Sequence, residues 1–188
     1  SAASDVYKRQ DIPKPTHIAL GQYSEGKAKI AVANAHHQGS FAEIMVFDHE
    51  LNADEHKRIG TYIRSKYKEG ANPKLDVQGL SFWLDAKDID ANPATSNPQT
   101  GEKVNSWKDK IHGIRLIQKD PKLQPKMGVL DKAPSIQFDN DFLTGDSQAA
   151  PFLKNQKGSL VIIHTCTHNH EGYGFEIGGN GEYLSTFV

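Results

Sequence analysis

Apolar positions along the chain fall mostly into short segments that alternate with polar ones, broken by glycine, proline, asparagine and aspartate. That pattern predicts short strands joined by turns. Residues 16–20 and 27–32 read as two strands around a turn at Gly21 to Gly26, and 33–40 as a loop. Residues 41–47, rich in β-favouring side chains, read as the next strand. Further strands are expected at 80–84, 104–107, 114–118, 135–138 and 159–165. The Asn180-Gly181 pair lies between Phe175-Glu176-Ile177 and Tyr183-Leu184, which predicts a tight hairpin.

One segment follows a helical period instead. Asn52 is a good N-cap, with Glu55 at the third helical position of a capping box. Ile59, Tyr62, Ile63 and Tyr67 then recur as one apolar stripe. Lys66 and Lys68 fall in the last turn, where positive charge opposes the helix dipole. Gly70 is placed to end the helix, and Lys57, Arg58 and Arg64 form a solvated opposite face. Residues 70–78 form a polar linker containing Pro73.

Composition narrows the class. Of 188 residues, 37% are hydrophobic and 24% charged, which argues against wholesale disorder. The 16 glycines and 9 prolines reinforce an all-β, turn-rich reading. With 22 basic and 23 acidic residues the formal charge is −1, so no basic footprint exists for nucleic acid or an anionic membrane surface. No apolar run reaches the roughly 18 residues of a membrane-spanning helix, so no membrane insertion is expected. The single cysteine, Cys166, excludes an intrachain disulfide.

Two stretches carry a family resemblance. Residues 39–67, with Phe41, Ala42, Glu43, Val46, Asp48, Leu51, Glu55, Tyr62, Ile63, Lys66 and Tyr67, resemble the closing segment of laminin-G-like modules. There, a strand of the type F-x-G-x-I-A-E leads through L-s-x-x-E into a helix ending near Y-L-x-x-K-Y. Phe47 stands where tyrosine is frequent. Residues 79–86 (GLSFWLDA), 104–110 (VNSWKDK) and 133–143 (APSIQFDNDFL) resemble the opening of the same kind of module. Lys110-Ile111-His112-Gly113 departs from the usual Ser-Gly-Asn-Gly.

The resemblance implies a jelly-roll antiparallel β-sandwich of the concanavalin A-like type, with one peripheral helix near 53–68. It also implies a domain plan: 11–69 as the C-terminal part of one module, 70–78 as linker, and 79–188 as the N-terminal part of a second. The two parts are complementary and are expected to pack as one sandwich. Residues 1–10 resemble translated adaptor read-through from assembled environmental sequence. They are read as a non-native leader, and the chain as an internal slice of a longer protein whose secretion signal lies outside it. The implied function is a non-catalytic, secreted or cell-surface binding module for carbohydrate or glycoprotein.

Glu43, Asp48 and Glu50 suggest a carboxylate cluster, but strand parity separates Glu43 from the other two. A sandwich glycosidase, the competing reading, needs a same-face carboxylate pair roughly 5–10 Å apart, and the strand pattern offers none. A ligand-free structural spacer is the third reading. His164, Cys166, His168 and His170 share one parity and are zinc-like by type, though spacing alone gives no tetrahedral site. Asp85, Asp88 and Asp90, and Asp139 to Asp141, are calcium-like oxygen ligands, yet Asp and Asn are also the commonest turn formers. Gly172, Gly174, Gly178, Gly179 and Gly181 suit a hairpin better than a phosphate cradle. Trp83 is expected in the core, Trp107 is left open, and Tyr173 and Tyr183 are the aromatics expected at the surface. No catalytic or metal residue is assigned, and no cofactor beyond a conceivable calcium.

Overall fold

The computed structural model describes residues 17–21, 37–146, 158–166, 173–179 and 182–187. These residues form two antiparallel sheets with one helix on the outside. The strands are β1 (His17–Leu20), β2 (Gln38–Phe47), β3 (Leu80–Asp85), β4 (Ser106–Lys108), β5 (Arg115–Ile117), β6 (Lys126–Leu130), β7 (Ala133–Asp139), β8 (Leu143–Asp146), β9 (Ser159–Cys166), β10 (Tyr173–Gly179) and β11 (Glu182–Phe187). The helix, α1, spans Ala53–Ile63 and runs on through one π-helical turn, Arg64–Lys68.

The first sheet has the order β11-β10-β1-β8-β5-β4. In the second, β2 is central. β9 pairs along one side of it from Gly39 to Phe47. The other side is shared end to end, by β7 along Gln38 to Phe41 and by β3 along Glu43 to Phe47; β6 follows β7. Strands from before residue 70 therefore pair with strands from after residue 78 in both sheets.

Alternation along β2 builds two apolar layers. Phe41, Ile44 and Val46 face the central core between the sheets, where Trp107 and Phe138 are also buried. Ala42, Met45 and Phe47 face a second layer, capped by Ile59, Tyr62 and Tyr67 of the helix. Phe82 of β3 and Phe175 of β10 stack across the central core at 6.3 Å. A register shift between Phe41 and Glu43 turns Glu43 to the helix side together with Ala42.

The helix forms for the reasons its sequence states. The Asn52 side chain accepts from the Asp54 and Glu55 N–H groups, and Glu55 accepts from the Asn52 N–H. Gly70 ends it at φ +72°, a region open to glycine. Lys57, Arg58 and Arg64 are exposed. No helix among the described residues is long and apolar enough to cross a membrane.

Several boundaries differ from expectation. β6 and β8 were not foreseen, because each is short and contains glycine plus a charged residue, both poor strand formers. The strand expected at 104–107 is displaced to Ser106–Lys108. The strands on either side of Asn180-Gly181 pair antiparallel, with Gly179 opposite Glu182, while Asn180 and Gly181 themselves lie outside the described residues. The strand expected at 27–32 lies outside the described residues.

Candidate functional site: a sealed carboxylate cluster under the helix

Glu43 is the centre of the most densely connected polar cluster among the described residues. It is fully buried on β2 beneath α1. Its carboxylate accepts from Tyr62 Oη (2.6 Å) and Trp83 Nε1 (2.6 Å) on Oε1, and from Tyr67 Oη (2.8 Å) and Lys66 Nζ (3.1 Å) on Oε2. Lys66 Nζ also donates to Asp85 Oδ1 at 2.9 Å and to Tyr62 Oη at 2.9 Å. Lys66 thus does not face solvent to offset the dipole, as its position in the last turn suggested. It lies four residues after Tyr62, on the buried stripe, and the π-turn seats Tyr67 beside it.

The electrostatics follow from burial. Loss of water pushes the Glu43 carboxyl up, and the Lys66 ammonium pulls it back. The Tyr62 and Tyr67 hydroxyls are pushed up, first by burial and then by the adjacent Glu43 carboxylate. Four donors, one of them the Lys66 ammonium, converge on the two oxygens of Glu43, an arrangement that favours the ionised form against the cost of burial.

The cluster alters one expectation. Glu43 and Asp85 are directly opposite each other on β2 and β3. Glu43 Oε2 and Asp85 Oδ1 both lie within 3.1 Å of Lys66 Nζ, hence at most 6.0 Å apart (3.1 + 2.9). The fold therefore does create a same-face carboxylate pair, which strand parity around Asp48 and Glu50 could not reveal. It differs from a sugar-cleaving pair in access: the side chains of Glu43 and Asp85 are 0% and 7% exposed, with an ammonium between them. The three residues first suspected remain apart. Glu43 is sealed, Asp48 is half-buried beside His49, and Glu50 is exposed.

Trp83, expected in the central core, packs instead at the helix-side layer, and Trp107, whose place was left open, takes the core position. Trp107 is completely buried in the central core. Trp83 alternates with buried Phe82 and Leu84, so it points to the helix side, half-buried, with Lys110 Nζ 4.6 Å from its ring centroid.

The aspartate-rich loops act as turns. Asp88 and Asp90 both accept from the Asn92 N–H. Lys110 Nζ lies 2.9 Å from Asp88 and 3.6 Å from Asp85. Asp85 faces both Lys66 and Lys110, and Asp88 faces Lys110, so a calcium ion at these two carboxylates would have to displace both ammonium groups, while Asp90 accepts from Thr95 Oγ1 and the Asn92 N–H. Asp141 accepts from the Asp139 N–H, with Asn140 at φ 60° between them. Asp109, unmarked in the sequence, is fully buried and accepts from the Trp83, Ile111 and His112 N–H groups.

His164 and Cys166 lie on β9 opposite Phe41 and Gly39, while His168 and His170 fall outside the described residues. A neighbour not foreseen is His37, fully buried, with its ring 6.2 Å from that of His164 and 4.4 Å from Phe41. Burial, helped by His164, pushes its imidazole down to about 4. Among the described residues no three His, Cys, Asp or Glu side chains gather as metal ligands. Gly174, Gly178 and Gly179 belong to β10, while Gly172 and Gly181 lie outside the described residues. Tyr173 and Tyr183 lie on β10 and β11. No family model, curated protein or solved structure matches this chain.

Proposed function

We propose that the chain is a non-catalytic binding module of a secreted or cell-surface protein, with carbohydrate or glycoprotein as its ligand. The observation that carries the non-catalytic part is the state of Glu43. All of its lone-pair directions are taken by Tyr62, Tyr67, Trp83 and Lys66, under a helix that excludes solvent. A general acid or nucleophile for glycoside cleavage has to touch the sugar. This carboxylate instead fastens α1 to β2 and β3. The ligand class rests on the resemblance of residues 39–67 and 79–143 to laminin-G-like modules, and on the two-sheet sandwich those segments share.

The test is a glycan microarray probed with the fluorescently labelled full chain. Titration calorimetry on the strongest glycans follows. Saturable binding to a restricted glycan set supports the reading. Binding to no glycan and to no glycoprotein favours the spacer.

A further inference from the structure

Both described strands of the N-terminal segment are interior. β1 is inserted between β10 and β8, with Leu20 opposite Phe175 on one side and Leu143 on the other. β2 is inserted between β9 on one side and β3 with β7 on the other. Without residues 17–69, β10, β8, β9, β3 and β7 would each lose a paired edge. The cluster beneath the helix is divided the same way: Glu43, Tyr62, Lys66 and Tyr67 come from before residue 70, Trp83 and Asp85 from after it. The connection is residues 70–78, of which Gly70, Ala71, Asn72, Lys74, Asp76 and Gln78 are exposed. Glycines at φ +72° and +73° bracket it.

We propose that residues 17–69 are a donor segment able to complete the sandwich of a second copy of this chain, with 70–78 as the hinge. An exchanged pair keeps every strand pairing and the Glu43–Lys66–Asp85 bridge. Only the hinge changes course, releasing or re-seating buried Val77 and partly buried Leu75, and exchange of an identical element is otherwise a low-cost route to association. The N-terminal segment adds an interior strand to each sheet at once, so a partially occupied sandwich leaves edges open on both sheets. Where copies are tethered, the high effective concentration of one donor near the next acceptor favours exchange further. The inference concerns assembly and does not depend on the ligand.

The experiment replaces 71–76 of the full chain with a protease recognition sequence and cleaves it after folding. Cleaved isotope-labelled and unlabelled preparations are mixed in denaturant, refolded and weighed by native mass spectrometry. The expected result is a folded complex of one N-terminal and one C-terminal piece, with mixed-label complexes in the statistical proportion. Pieces that refold without associating would overturn the proposal. A second variant deletes 71–76, so that the segment cannot fold back on its own chain. It should be a folded dimer by light scattering, with the far-ultraviolet spectrum of the parent. A folded monomer of unchanged stability contradicts the hinge. If that variant does not fold, the mixed-label result alone decides.

Discussion

Glu43 and Asp85 face each other across β2 and β3, and the Lys66 ammonium closes the gap at 3.1 Å and 2.9 Å. Like charges directly opposite on a sheet repel, so this pairing is tolerable only with the cation between them. The helix is therefore not simply laid on the sheet. It carries the counter-charge that the sheet requires.

Glu43→Gln tests that dependence. The amide would turn an N–H group toward a nest built of donors. Lys66 would keep Asp85 at 2.9 Å, but buried donors would be left unmatched, so a loss of about 1–3 kcal/mol is expected in urea unfolding. Tyr67→Phe, which removes one donor from Oε2, should cost about 1–2 kcal/mol. A Glu43→Gln protein as stable as the parent would show that the carboxylate is not what holds the helix.

Two histidines give opposite pH responses. His37 is pushed down to about 4 by burial. Below the ordinary value near 6.5 the unfolded chain therefore binds more protons there than the folded one. Stability from this group is complete above that value and falls as pH drops toward 4, by roughly 3 kcal/mol in all. His37→Phe should flatten the acid side of a stability-versus-pH curve.

His49 behaves the other way. Burial pulls its imidazole down, but its hydrogen bonds to Asp48 and Glu55 more than offset that, and its pKa is raised. Its contribution is full below the ordinary value and disappears as pH rises through the raised one. His49→Asn should remove this alkaline-side decline, read by thermal unfolding between neutral and mildly alkaline pH.

Glycine substitutions separate packed positions from open ones. A Cβ at Gly39 would lie 1.9 Å from the Thr165 carbonyl oxygen, so Gly39→Ala must force β2 and β9 apart and destabilise strongly. Gly60 lies inside α1 with nothing within 4 Å of its would-be Cβ. Gly60→Ala should stabilise by about 0.5–1 kcal/mol through helix propensity. Asn52→Ala, which removes the cap, should cost about 1 kcal/mol.

Local signals carried much of this fold. The capping box at Asn52 and Glu55, the stop at Gly70 and the Asn-Gly hairpin are each written in a few adjacent residues. So was the helix stripe, although a stripe read as apolar concealed what Tyr62, Lys66 and Tyr67 do with their polar ends. The four-residue spacing from Tyr62 to Lys66 is one available signal, which the dipole reading of Lys66 passes over, and a lone glutamate within the apolar run 41–47 is a matching signal on the strand. What no single segment records is the partner. Asp85 becomes Glu43's neighbour only through pairing across 42 residues (85 − 43), and Trp83 lies at the helix layer because that pairing fixes which face of β3 meets the helix. Residues far apart in the chain share no local pattern, so such contacts become visible only in the assembled sheets.

The most direct measurement incubates the full chain with soluble and insoluble polysaccharides and follows depletion of the protein and release of new reducing ends in the same tube. A non-catalytic sandwich whose Glu43–Asp85 pair is sealed around Lys66 should be depleted by at least one polysaccharide and release no reducing ends. Reducing ends that accumulate with time, and vanish in Glu43→Gln protein that remains folded, would contradict the account and make the sealed pair a catalytic one.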